Sequence, residues 1–495
     1  MSVTRREFLS GSLLLPATPS ALSGAPANRP NVILMMADDL GFGDPGFNGN
    51  RVIHTPNLDA MAKAGIRFTR FYSGGPVCSP TRGTCLTGRH YFRYGITHAN
   101  EGALPKPEFT IAEMLKPLGY ATGHFGKWHL GTLTQQIKDG RRGGPGTKSY
   151  SPPWDHGFDE CFSTEQAVPT WDPMKNQPFD TKYWEGPGKY ATENLEGDDS
   201  RVMMDRVIPF ITQAGKAGDP FLAVVWFHAP HQPVIAGPRY REMYSQYSEG
   251  EQHYYGCITA LDEQVGRLRK ELRNLGVAQN TMIWFASDNG PEGMTGDQGT
   301  NRGSTGALRG RKRSLFSGGV NVPGLLEWPG HAQPGRVTDV TCSTLDYFPT
   351  IHEVTGASLP GKPRPIDGVS LLPLIQGKAT TRPTPVCFRY IQPKRQMHGS
   401  PMVAMLEGRY KLLTNLSADG KEDMLYDVIA DRSENENIIS KHPAMAQSMK
   451  KRLRGWIESC QASHAGADYD GPFTPLEPFP VLIDTWPADR RGEQQ

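Results

Sequence analysis

Residues 76–89, PVCSPTRGTCLTGR, place Cys78 two positions before a proline and four before Arg82. Several chemistries are open to such a cysteine: an inert buried thiol, half of a disulfide, a metal ligand, a thiolate nucleophile with a nearby base, or the raw material of a modification. By composition a C-x-P-x-R triplet arises by chance in about one chain in thirty, so the motif alone does not decide. Asp38-Asp39 and Asp288-Asn289 form two all-oxygen pairs, each at the end of an apolar run. Carboxylate and amide oxygens without cysteine suit a hard cation, Ca2+ or Mg2+. One such pair is more often a helix cap or a turn; two on equivalent strand ends favour a metal. Lys127 and His129 stand two apart in GKWHLG, on one face if that segment is extended, and His231 lies in the proline-bounded HAPHQP. A lone histidine is usually structural. Beside an oxygen-ligated metal, however, these groups form an anion cradle with an imidazole able to protonate a leaving group.

The elements that must position them are legible from hydrophobic pattern. NVILMMADD (31–39), PFLAVVWFHAPH (220–231) and TMIWFASDNG (281–290) are apolar runs that stop at polar residues. They predict buried strands of a mainly parallel sheet, with a ligand crevice outside their C-terminal ends. TPNLDAMAKAGIRF has helical spacing, with Gly65 as its C-cap. GKATTRPTPV predicts a linker, RYKLLTNLSADGKEDMLYDV a hairpin and HPAMAQSMKKRLRGWIESC a helix. The expected fold is α/β, a large mainly parallel sheet flanked by helices with a smaller C-terminal α+β domain. The expected division is a signal peptide over 1–27, a catalytic domain over 28–375, the small domain over 376–465 and a tail over 466–495 that wraps or frays.

A net charge of +2 with 21% charged residues gives no basic excess for nucleic acid and no acidic block for disorder. Seven scattered cysteines lack zinc-finger spacing, and their odd number leaves at least one outside any intramolecular disulfide set. TRREFLSGSLLLPATPSALSGAPA combines Arg5-Arg6, a modest apolar stretch and an Ala25-Pro26-Ala27 cleavage site. It is similar to a twin-arginine signal, which exports folded proteins across a bacterial membrane; an ordinary secretory signal is the alternative. No later segment reaches the ~18 apolar residues of a spanning helix, so a periplasmic or extracellular protein without an integral membrane segment is expected.

CSPTRGTCLTGR resembles the signature of the type I sulfatases, of the alkaline phosphatase-like superfamily. NVILMMADDLGFGD, TPNLDAMAKAGIRFTRFYS, GYATGHFGKWHLG, HGFDE, APHQP, SDNG, LRGRKRSLFSGGVNVP and LYDVIADRSENEN follow in family order over residues 29–455. The resemblance implies that a separate maturation enzyme converts Cys78 to Cα-formylglycine. One hydroxyl of its hydrate attacks sulfur and the second, on losing its proton, expels sulfate, so water need not attack the covalent sulfate ester. It implies one Ca2+ held by Asp38, Asp39, Asp288, Asn289 and modified Cys78. Arg82 would steady that site, Lys127 and Lys312 hold sulfate oxygens, His231 protonate the leaving group and His129 support the hydrate.

Two positions depart from the family pattern. Arg313 stands where a glycine usually follows the active-site lysine, and Ser317 where a glutamate precedes Gly-Gly. Arg311 and Arg313 flank Lys312, so this basic cluster either meets neighbouring anions of a sulfated glycan or is a solvated loop. The expected activity is an exported sulfatase, acting on organic sulfate esters and in particular sulfated carbohydrate. The alternatives are a phosphonate or phosphate ester hydrolase on the same scaffold, a catalytically silent sulfated-glycan-binding protein, and a hydrolase using the Cys78 thiol itself.

Overall fold

Alternate residues of the first apolar run pack into different cores, which is why the whole run is buried. In the computed structural model, which describes residues 29–480 apart from 176, 294–301, 392–399 and 418, Val32, Leu34 and Met36 join one apolar cluster. Ile33, Met35 and Ala37 join another on the opposite face. The expected signal peptide and the end of the tail lie outside the described residues.

The strands of the large sheet are β1 (Asn31–Ala37), β2 (Ile66–Tyr72), β3 (Ala121–Lys127), β4 (Glu160–Thr164), β5 (Trp184–Gly186), β6 (Lys189–Tyr190), β7 (Phe221–Trp226), β8 (Thr281–Ser287), β9 (Asn321–Glu327), β10 (Arg336–Thr338) and β11 (Cys342–Ser343). Their order is β10-β2-β9-β8-β1-β7-β3-β4-β5-β6, with β11 also on β2. β8, β1, β7, β3 and β4 form a parallel block. β9 runs antiparallel to both β2 and β8, making the sheet mixed. Pro323 cannot donate a ladder hydrogen bond; it sits where the β2–β9 register shifts between Phe68 and Phe71, the kind of irregularity that accommodates a strand proline.

Helices cover both faces. Pro56–Ala64, Asp199–Ala217 and Glu249–Asn274 pack on one side, and Cys78–Thr87 and Tyr347–Thr355 on the other. Gly65 does follow Pro56–Ala64, but its φ of −141° is extended. Its requirement is space: a Cβ there would lie 2.0 Å from the carbonyl oxygen of Leu326.

A second, antiparallel sheet contains β12 (Val386–Arg389), β13 (Val403–Glu407), β14 (Tyr410–Thr414) and β15 (Met424–Asp427). β14 and β15 are the expected hairpin, and the expected helix spans Pro443–His464. One face of this sheet shares a core with Tyr72, Val77, Leu315, Phe316 and Val320 of the large unit. The described part of the tail is anchored: Asp468 pairs with Arg89 at 2.6 Å, and the Tyr469 hydroxyl donates to Glu108.

Candidate active site

Cys78 is the first residue of the helix Cys78–Thr87, so the positive end of the helix lies at the candidate nucleophile. Pro80 falls in the first turn, where no intrahelical donor is needed. Arg82 comes one turn after Cys78, on the same face. The motif spacing is therefore the spacing of a helix N-terminus that presents a reactive group and an arginine together.

Arg82 is fully buried. Its Nη2 lies 2.7 Å from Asp288 Oδ2 and 3.3 Å from Asp38 Oδ2, and its Nη1 donates to the Lys127 carbonyl at 2.8 Å. Parallel β1 and β8 bring their C-terminal ends level, so Asp38-Asp39 and Asp288-Asn289 meet. Asp39 has a left-handed φ of 67°, a conformation aspartate tolerates, and its N–H donates to Asp288 Oδ1 at 3.1 Å. Asn289 Nδ2 donates to Asp39 Oδ1 at 2.6 Å. Ligand atoms of Asp38, Cys78 and Asp288 lie within 4.8 Å of one another, as do those of Asp38, Asp39 and His231.

Two cations reach the same carboxylates from other elements. Lys127, at the end of β3, places Nζ 2.6 Å from Asp38 Oδ2. Lys312 places Nζ 2.6 and 2.8 Å from the two oxygens of Asp39. Burial favours an uncharged Asp38 carboxyl, but Lys127, His231, Arg82 and Lys312 together hold it well below the usual range. Burial and the neighbouring Asp38 push Asp288 up to about 7 despite Arg82. Burial also opposes charge on Lys312, yet Asp39, Cys78 and Glu292 hold its ammonium well above the ordinary value.

The residues present fit a hard cation. Among the described residues, no hydrogen-bond donor reaches the buried Oδ1 atoms of Asp38 and Asn289, although they belong to a cluster of hard oxygens. A positive ion among them would satisfy those lone pairs and relieve the repulsion that raises Asp288. Burial raises the Cys78 thiol, more than Lys127 and Lys312 lower it, so the unmodified residue is a poor thiolate nucleophile.

The histidines are set by single neighbours. His129 follows β3 in a left-handed conformation, φ 57°, so the expected same-face alternation of Lys127 and His129 on an extended segment does not hold. The backbone turns after the strand instead. His129 Nε2 lies 2.9 Å from Asn100 Oδ1, which also accepts from Gln166, leaving the buried Nδ1 without a partner among the described residues. His231 Nδ1 donates to the Gln232 carbonyl at 2.6 Å, and its Nε2 is 3.8 Å from Asp39 Oδ2. His228 is structural, fully buried between Asp199 and Thr164 at 2.8 Å each.

The arginines flanking Lys312 are held by neighbouring groups of the protein, unlike those of a solvated loop. Arg311 donates to the carbonyls of Glu292 and Gly303, and Arg313 pairs with Glu292 at 2.5 Å. Arg313 has φ 71°, the left-handed conformation that suits the glycine it replaces. At the other departure, the Ser317 N–H donates to Glu434 Oε2 at 2.6 Å, so a carboxylate from beyond β15 meets this position. Asn100 and Glu292 escaped the sequence reading. Glu292, just after SDNGP, is an acid beside a marked strand end; nothing local in THANEG marks Asn100. All seven cysteines are free and buried.

The sulfatase family model matches residues 30–357, and a model described as N-sulphoglucosamine sulphohydrolase, C-terminal, matches 310–461. N-acetylgalactosamine-6-sulfatase of Sus scrofa is 33% identical over 422 residues, covering 81% of this chain and 74% of that protein. Arylsulfatase A of Homo sapiens is 31% identical over 473 residues, covering 86% and 87%. A crystal structure of Ps i-CgsB in complex with k-i-k-neocarrahexaose is 26% identical with a TM-score of 0.74, covering 88% of this chain and 94% of that one. The motif order, the convergent site and these matches together show that the chain belongs to the formylglycine-dependent sulfatase family of the alkaline phosphatase-like superfamily and is a sulfuric ester hydrolase.

Proposed function

We propose that this protein is an exported bacterial sulfatase that removes sulfate from carbohydrate, using a formylglycine made from Cys78 and one Ca2+ ion bound by Asp38, Asp39, Cys78, Asp288 and Asn289. One observation carries the reading. Cys78 lies with the oxygens of Asp38 and Asp288 at a single buried point, beside oxygens that have no donor among the described residues. Carbohydrate is supported by the relative named for N-acetylgalactosamine 6-sulfate and by the structural neighbour holding a neocarrahexaose. Export and the twin-arginine machinery rest on the N-terminal sequence. No helix among the described residues is long and apolar enough to cross a membrane. On this reading residues 28–375 form the catalytic domain and 376–465 the small domain.

When present, the cation supplies charge that polarises the attacking oxygen and offsets the sulfate's charge, and the hydrated formylglycine supplies two hydroxyls, one to attack and one to release. The chain's own residues do the rest. Arg82 ties Asp38 to Asp288 and fixes their orientation. Lys127 and Lys312 hold ammonium groups against the non-bridging sulfate oxygens, in a site dry enough to make those contacts strong. His129 gives its Nε2 proton to Asn100, so Nδ1 is the lone pair that takes a proton from the hydrate. His231 gives its Nδ1 proton to the Gln232 carbonyl, so Nε2 is the atom that carries a proton to the leaving alcohol oxygen.

Protein matured in its native host should release sulfate from an aryl sulfate and from sulfated hexosamines, lose activity on chelation and regain it with Ca2+. With sulfate and phosphate esters of one alcohol, kcat/KM should favour sulfate; a reversed preference would support phosphoryl chemistry. Glycan binding without turnover, by protein whose Cys78 is fully converted, would contradict the reading.

A further inference from the structure

The site opens into a cavity of about 510 Å3 lined by Asp39 and His231 together with Arg141, Phe179, His253 and Arg302. That volume lies in the range that holds a drug-sized ligand. Its cations differ in how far they are committed. Arg302 donates to Ser248 Oγ at 3.0 Å and lies 3.9 Å from Glu251. Glu292, which also lines the cavity, is neutralised by Lys312 and Arg313.

Arg141 is different. Its guanidinium carbon sits 4.2 Å from the centroid of the Phe179 ring. Stacking covers the face of the guanidinium and leaves its in-plane N–H edge available for a planar or tetrahedral anion. The nearby acid, Glu165, is already taken: it accepts the Arg141 backbone N–H at 2.9 Å and pairs with the Arg142 side chain at 2.9 Å. Among the described residues no carboxylate forms an ion pair with the exposed Arg141 side chain. A stacked, oriented, uncompensated cation thus shares a cavity with the candidate leaving-group acid.

We infer that Arg141, held by Phe179, is a specificity-determining residue that binds a second anionic group of the substrate, on the sugar next to the one that loses sulfate. This rests on the sulfatase reading above and narrows it to polyanionic glycans. The aromatic support fixes the cation at little further entropic cost, so the contact belongs to binding of the neighbouring sugar rather than to the chemical step.

The test compares four substrates: a sulfated hexosamine alone, and the same sugar linked to a neutral hexose, to a hexuronate and to a hexose bearing another sulfate. Each is followed with wild type, Arg141→Ala and Arg141→Lys by sulfate release. The wild type should prefer one or both anionic partners over the neutral one, and the preferred member identifies the anion as carboxylate or sulfate. Arg141→Ala should reduce that preference roughly tenfold, mainly through KM. Arg141→Lys should recover part of it, and added salt should narrow the difference. Equal wild-type kcat/KM for neutral and anionic partners, or a preference that survives Arg141→Ala, would overturn the subsite while leaving the sulfatase reading intact. No sulfate release by wild type from any of the four, or from an aryl sulfate, would overturn the proposed function and this subsite with it.

Discussion

One neighbour each gives His129 and His231 opposite tautomers, and on the proposed mechanism that difference divides their work. The Gln232 carbonyl can only accept, so His231 keeps its proton on Nδ1 and exchanges through Nε2. Its contribution should depend on the leaving group. His231→Ala should lower kcat by roughly 10²–10³ on an alkyl or sugar sulfate and much less on a nitrophenyl sulfate, whose phenolate leaves without help. Equal losses on both esters, measured as kcat, would count against the acid role. Cys78, Arg82 and the four candidate oxygen ligands were legible because each sits in a short motif or at the end of an apolar run. Asn100 and Glu292 act through partners 29 and 20 positions away, His129 and Lys312. No local spacing encodes such pairings.

At the scale of elements, the strands buried on both faces were legible from composition alone, since both sides of the sheet must be apolar. β9 was hidden by Pro323 and Gly324, residues that argue against a central strand until the bulge facing them is known. The residues just before it, Leu315, Phe316 and Val320, share a core with the small sheet. Gly290 follows the Asp288-Asn289 pair, and a Cβ on it would lie 1.8 Å from the carbonyl oxygen of Gly318, so the strand end and the Lys312 loop touch backbone to backbone. That loop is secured from the small sheet: Lys411 Nζ pairs with Glu434 at 2.8 Å and donates to Ser317 Oγ at 3.2 Å, all without exposure. Removing one member of a buried pair leaves the other charge uncompensated. Glu434→Ala should therefore cost about 3–5 kcal/mol in urea unfolding. It should also lower kcat, because Lys312 lies in the loop that Ser317 anchors. A stability change below about 1 kcal/mol would show that the pair does not hold the loop.

For the whole molecule, two buried histidines that are not among the candidate metal ligands set a pH limit. Burial pushes His90 and His156 from the usual 6.5 down to about 3. Between those values the unfolded chain binds protons that the folded chain refuses. The stability they contribute is complete above about 6.5 and is lost as pH falls toward 3, by about 2 kcal/mol for each at pH 5. Tm should fall from pH 7 to pH 5, and His156→Asn should flatten part of that fall; a level Tm in the wild type would contradict it. On the proposed mechanism the activity itself turns on Cys78. The most direct measurement is mass spectrometry of the peptide spanning residues 71–82 from protein purified out of its native host. The account predicts the mass loss of thiol-to-aldehyde conversion at Cys78, together with labelling by a hydrazide. An intact, alkylatable cysteine in the exported, active enzyme would contradict it.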